Sequence, residues 1–88
     1  MEVPAEIYQR YVENRKHDLE LGWRSLKGNN SNELEKIGHQ LKGNGATFGH
    51  PVLSTIGRKL ETGAYQRDQA TVEAALKDLT RWLHTQLN

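Results

Sequence analysis

Apolar residues recur along this chain at steps of three, four and seven, the repeat of one face of an α-helix, and no segment alternates as a half-buried strand does. Tyr8, Val12, Leu19 and Leu26 form the first such run, with Pro4 near its start and Gly28-Asn29-Asn30 at its end. A proline suits a first helical turn and a Gly-Asn cluster stops one, so the run predicts a helix near residues 5–27. Asn30 with Glu33, or Asn32 with Glu35, offers a capping pair for a second helix that carries Leu34, Ile37 and Leu41 as far as Phe48 and stops at Gly49. Pro51 restarts the chain in a third helix with Leu53, Ile56 and Leu60, expected to close at Gly63. Asp68 is placed to cap a fourth, in which Val72, Leu76, Leu79, Leu83 and Leu87 repeat like a bundle seam.

Connections this short favour antiparallel neighbours. The expected fold is all-α, an antiparallel up-and-down four-helix bundle, and 88 residues suit one small domain over 1–88. Trp23, Trp82, Tyr8 and Tyr11 lie on or beside the apolar stripes and are expected in the core or at its boundary.

Composition narrows the function by exclusion. Twelve Lys and Arg against eleven Asp and Glu leave a net charge of +1, which gives no broad basic field for nucleic acid and no acidic tail. The absence of cysteine removes disulfides, thiolate catalysis and cysteine-based metal sites, and fits a reducing compartment. The start Met1-Glu2-Val3-Pro4 lacks a charged-then-apolar signal pattern, and no apolar run approaches the roughly 20 residues that span a membrane. A soluble, cytoplasmic chain without membrane insertion is the expectation.

The chemistry concentrates in His39-Gln40-Leu41-Lys42-Gly43. At about 100° per residue, Leu34, Ile37, Leu41 and Phe48 fall within roughly a 60° sector of the second helix, and His39 lies about 140° or more from all four. His39 faces outward if they face in. Lys42, Gly43 and Ala46 follow at offsets of three, four and seven, all neighbours of His39 on a helix surface. The imidazole thus stands on an almost bare shelf with one ammonium beside it. Gly43 and Gly45 each cost roughly 1 kcal/mol relative to alanine within a helix, so some purpose other than helix stability favours them. Close approach of a partner to His39 is such a purpose, with Lys42 neutralising a phosphoryl group that arrives on the ring. A neutral imidazole, whose ordinary pKa is about 6.5, offers a nucleophilic nitrogen near pH 7. The run therefore reads as a phosphoryl-acceptor site.

From His39 onward the chain resembles the histidine-containing phosphotransfer (HPt) domain of bacterial multistep phosphorelays. The run His39-Gln40-Leu41-Lys42-Gly43, then Ala46 and Gly49, then Leu53, Ile56 and Leu60-Glu61 follow at that family's spacing without a gap, covering residues 39–61. The resemblance implies that His39 is the phosphorylated residue, that Lys42 contacts the phosphoryl group, and that Gly43 and Ala46 leave room for a docking partner. It implies receiver domains of response regulators or hybrid sensor kinases as partners, for a monomeric phosphotransfer intermediate with no kinase activity of its own. Such a protein needs no cofactor, because the Mg²⁺ belongs to the receiver. Gly38, where the family often has alanine, and Pro51 depart from the pattern without touching this chemistry. A rival of another class is a non-phosphorylated helical module that regulates a receiver or kinase by occlusion, and the chain also suits an excised segment of a larger hybrid sensor kinase.

Other motifs carry less. Gly43-Asn44-Gly45-Ala46-Thr47-Phe48-Gly49 lacks the preceding strand and the Lys-Ser/Thr ending of a phosphate-cradling loop. His17, His50 and His84 show no metal-binding spacing and are expected on the solvated surface. Ser25, Ser31 and Ser54 have no nucleophile-elbow context. Arg10, Arg15, Lys16, Arg24 and Lys27 are interspersed with Glu6, Glu13, Asp18 and Glu20, the pattern of an exposed ion-paired helix face. Arg58 and Lys59 are candidates to support an acidic partner's rim.

Overall fold

In the computed structural model, residues 4–87 are described, with the side chain of Leu87 excepted, and they form four helices: α1 (Ala5–Lys27), α2 (Ser31–Thr47), α3 (Pro51–Tyr65) and α4 (Gln69–Leu87). The Met1-Glu2-Val3 stretch, the Leu87 side chain and Asn88 lie outside the described residues, so the expectations placed on them have no structural counterpart.

All three connections are built alike. Asn29, Gly49 and Arg67 each take a left-handed conformation, with φ of 56°, 72° and 55°. The N–H of the next residue then returns to a carbonyl five positions back: Asn30 to Ser25 at 2.8 Å, His50 to Gly45 at 2.7 Å and Asp68 to Gly63 at 2.8 Å. This closure satisfies carbonyls that a helix end leaves unpaired. The returning residue also stands just before the next helix. Asn30 accepts from the Glu33 N–H at 3.1 Å, the first of the two pairings the sequence offers, and Asp68 Oδ1 accepts from the Thr71 N–H at 3.2 Å. The third helix runs past its expected end. Gly63 is buried inside α3, where an added Cβ would lie 2.9 Å from the Thr71 side chain, so it serves close packing on α4 and Arg67 takes the turn.

Seams join α1 to α2, α2 to α3, α3 to α4 and α4 back to α1, making a four-helix bundle. Leu34, Ile37 and Leu41 of α2, Leu53, Ile56 and Leu60 of α3, and Val72, Leu76, Leu79 and Leu83 of α4 are buried, as their periodicity predicts. Tyr11, Val12, Ala64, Ala75 and Trp82 complete the core, with Tyr8, Leu19, Leu21, Trp23, Leu26 and Phe48 packed partly buried against it. Gly22 of α1 meets Leu76, and the Tyr8 hydroxyl donates to Gln86 Oε1. Lys59 reaches Asp78 across the α3–α4 seam at 3.1 Å. The expectation that Lys59 supports a partner's rim is therefore replaced by an intramolecular ion pair, while Arg58 is exposed.

The α2–α3 seam is the tightest. A Cβ on Gly38 would lie 2.5 Å from the Glu61 nitrogen, one on Gly45 2.5 Å from the Ser54 nitrogen, and one on Gly57 2.4 Å from the Lys42 nitrogen. Real side chains do not tolerate such distances, so backbone packs directly on backbone. Residue numbers fall on α3 as they rise on α2 along these pairs, so the two helices run in opposite directions. Ser54 adds a hydroxyl that donates to the Lys42 carbonyl at 2.8 Å.

Two other expectations change. Arg15 is buried, 7 % exposed, because it sits on the inward side of α1 where its guanidinium covers the Tyr11 ring at 4.7 Å. His50 is half-buried among the rings of Tyr8, Tyr11 and Trp82, with centroid distances of 5.9, 6.1 and 5.4 Å. The turn that carries it folds over the end of α1. His17 and His84 lie on exposed positions.

Candidate functional site

The glycine seam fixes which side of α2 faces away from the bundle. With Gly38 and Gly45 pressed on α3 and Leu34, Ile37 and Leu41 in the core, His39 projects from the opposite side with 71 % of its side chain exposed. Gly43 lies one turn further on the same side, where an added Cβ would meet nothing within 4 Å. Ala46 is exposed one turn beyond it. The bare shelf expected around His39 exists at Gly43 and Ala46. It does not extend to Gly45, which is buried and belongs to the α2–α3 seam.

The seam also brings in a carboxylate. Because the Glu61 backbone lies directly under Gly38, its side chain reaches up beside the neighbouring residue, His39. Glu61 Oε2 stands 3.0 Å from His39 Nδ1 and Glu61 Oε1 stands 2.9 Å from Lys42 Nζ. One carboxylate thus bridges the imidazole and the ammonium. The Lys42 ammonium, hydrogen-bonded to Glu61, is the largest cause holding that carboxyl below its ordinary value; the hydrogen bond with His39 acts in the same direction, against the opposing effect of burial.

The charge state has a consequence for the ring. An ionised carboxylate only accepts hydrogen bonds, so Nδ1 must carry the proton it donates. In the neutral ring the lone pair is then on Nε2, the nitrogen farther from Glu61. Lys42 has three N–H donors and gives one to Glu61, which leaves two for a further acceptor. The arrangement presents an oriented nucleophile to solvent, a cation one helical turn away, and a clear approach over Gly43.

Glu61 is the site residue that residue-by-residue inspection of the sequence did not assign. It lies on another helix, 22 positions from His39, so no helical periodicity connects the two. Its presence in the pattern shared with phosphotransfer domains was the one signal. Gly38, set aside as a harmless departure, is a further case, since its missing Cβ is what lets Glu61 reach the imidazole.

Among the described residues, no group of three or more His, Cys, Asp or Glu is placed to hold a metal ion, and no helix is long and apolar enough to cross a membrane. The family model of the Hpt domain matches residues 6–86, nearly the whole chain. No curated protein and no solved structure matches it significantly.

Proposed function

The chain belongs to the Hpt domain family, whose members carry phosphoryl groups in phosphorelays and interact with receiver domains, and from that premise we propose that His39 is the phosphoryl acceptor, taking its load from the aspartyl-phosphate of a docked receiver and passing it to another. One observation carries this reading. His39 is the exposed histidine whose Nδ1 is held by a carboxylate while a lysine and an unobstructed glycine flank it.

The proposed steps use that geometry. The Nε2 lone pair attacks the phosphorus of the aspartyl-phosphate, an N–P bond forms, and the P–O bond to the receiver's aspartate breaks with its electron pair leaving on the carboxylate. The ring gains positive charge as Nε2 is substituted, and the Glu61 carboxylate on Nδ1–H stabilises it. Lys42 offers its remaining donors to the phosphoryl oxygens, whose charge is spread over three atoms in the transition state. Return of the group to a second aspartate reverses the sequence. The divalent ion that assists such a transfer is the receiver's, and this chain contributes nucleophile, cation and docking face. We propose that it acts as a monomer with no cofactor of its own.

The test is incubation of the protein with a panel of phosphorylated receivers, read as transfer of label. At least one receiver is expected to label the wild type, and His39→Gln is expected to abolish labelling with its melting temperature nearly unchanged, because the side chain is exposed. Labelling of His39→Gln at the wild-type rate would overturn the assignment.

A further inference from the structure

Beside the His39 face, the seam between α1 and the C-terminal half of α2 holds a cavity of about 210 Å³. Arg10, Tyr11, Asn14, Arg15 and Asn44 supply its polar lining, with Ile7 and Phe48 as its apolar part. Among these described residues there are two arginines and no carboxylate. An opening with such walls selects for negative charge.

Arg15 makes the cavity more than a shallow basic groove. It is 93 % buried by its 7 % exposure, and its Nη1 has no hydrogen-bond partner in the protein; neither has the Tyr11 hydroxyl beside it. Asp18 Oδ2 stands 2.8 Å from Arg15 Nε, close enough to form an ion pair, yet at an angle that makes no hydrogen bond for either atom. The Asp18 carboxyl is itself pushed up by burial, with Arg15 pulling the other way. Buried donors without acceptors are unfavourable, and a guanidinium presents several in one plane suited to a carboxylate. The groups facing Arg15 are thus Asp18 and Tyr11 on its own helix, and across the seam the amide of Asn44 and the Phe48 ring, with Arg10 at the rim.

Position connects the cavity to the site. Asn44 lies five residues past His39, about 7.5 Å along the helix axis and about 140° round it, on the flank of α2 that faces α1. A docking interface of ordinary size covers about 800 Å² on each partner, a disc of about 16 Å radius. A receiver centred on His39 and seated over the α1 flank of α2 reaches this opening. On the other flank of α2, Gly38, Gly45 and Gly57 bring the backbones of α2 and α3 directly together.

We propose that the α1–α2 cavity takes the carboxylate of an acidic side chain on the docking receiver, with Arg15 as its buried cation and Arg10 as its outer one. The choice of partner rests on the phosphorelay reading of His39. The contact fixes how the receiver sits and takes no part in the transfer of the phosphoryl group.

Two measurements on the whole chain test this. In the first, sodium acetate is titrated against the ¹⁵N-labelled protein, with sodium chloride as the ionic-strength control. Saturable shifts of the Arg15 Nε–H and Asn44 amide signals with acetate alone are expected, and equal shifts in chloride, or none, would overturn the proposal. In the second, single-turnover transfer is followed against receiver concentration, using a receiver that labels the wild type. The neutral pair Arg15→Gln with Asp18→Asn is expected to raise the half-saturating concentration about tenfold, equivalent to about 1.4 kcal/mol, with the plateau rate unchanged. Arg10→Gln, at an exposed position where folding is not at stake, is expected to raise it by a smaller factor. Wild-type half-saturation in Arg10→Gln and in a folded double variant overturns the cavity's role while leaving His39 as acceptor; if the double variant does not fold, Arg10→Gln alone decides. Binding of acetate at Arg15 in a protein that no receiver labels overturns the phosphorelay reading and, with it, the receiver as source of the carboxylate.

Discussion

Gly43 and Gly45 stand two positions apart on α2, and a methyl group added to the first would meet nothing within 4 Å, whereas one added to the second would lie 2.5 Å from the Ser54 backbone nitrogen. Both residues are unfavourable in a helix by about 1 kcal/mol relative to alanine. The seam glycine is repaid by contact inside the molecule, since its absence of a side chain lets α3 pack against α2 and carry Glu61 to His39. Among the described residues nothing would meet a side chain on the surface glycine, whose carbonyl accepts from the Thr47 hydroxyl at 3.0 Å. In the reading proposed above, a glycine that weakens its own helix with no packing in return lies on the face where the partner docks. On that reading the same residue type on one helix serves two requirements, one of folding and one of docking, and neighbouring atoms separate them.

Substitution at the seam should have the largest effect. Gly45→Ala, and likewise Gly38→Ala, forces a methyl group into backbone and is expected to destabilise the protein by about 1–3 kcal/mol. In a chain of this size each kcal/mol lowers the melting temperature by about 4–8 °C. A thermal melt indistinguishable from wild type would show that the helices separate freely, and the contrast with Gly43 would collapse.

Gly43 should behave in the opposite way. Gly43→Ala is expected to raise stability by up to about 1 kcal/mol. Gly43→Gln should melt at or above the wild-type temperature while transfer from a phosphorylated receiver slows at least about tenfold, about 1.4 kcal/mol of transition-state stabilisation. Thermal melts and transfer kinetics on the same sample separate the two effects, and wild-type transfer in a stable Gly43→Gln protein would remove docking as the reason for the glycine.

A smaller effect should follow from Glu61, the residue that the seam delivers to the site. Its carboxyl is lowered, chiefly by Lys42, so between its folded value and the ordinary carboxylate value the unfolded chain binds more protons than the folded one. Stability from this group is therefore complete above the ordinary value and is lost as pH falls through the folded value. The exposure of its side chain keeps the magnitude small. Asp18 runs the other way: burial raises it, and it contributes a stability that declines as pH rises between the ordinary and the raised value. Because Asp18 is common to both proteins, the difference in acid melting between wild type and Glu61→Gln isolates Glu61. That difference should shrink as pH falls, and a pH-independent difference would place the Glu61 effect outside its ionisation.

The sequence made the helices legible because their signals are local. Pro51 starts α3, Asp68 caps α4, and the spacing of Leu34, Ile37 and Leu41 marks the buried side of α2 and hence the exposure of His39. Gly43 was legible for the same reason, as a neighbour of His39 on one helix. What remained hidden lay between helices. Gly45 looked like part of the shelf because its wheel position shows its direction and not its neighbour. Arg15 looked like a surface charge because alternation with acids is a property of α1 alone, and His50 because the aromatic rings around it come from both ends of the chain. The turn at Arg67 defied the expectation for Gly63, since the glycine was needed for packing on Thr71 and a non-glycine residue took the left-handed conformation instead.

The central claim is that His39 accepts the phosphoryl group on the nitrogen left free when Glu61 holds the other. Coupled ³¹P and ¹⁵N NMR of the phosphorylated protein, labelled at histidine nitrogen, reads the bond itself. The account predicts a single phosphohistidine with phosphorus coupled to Nε2 of His39 and a proton retained on Nδ1. Phosphorus coupled to Nδ1 of His39, to another histidine, or to no nitrogen at all would contradict it.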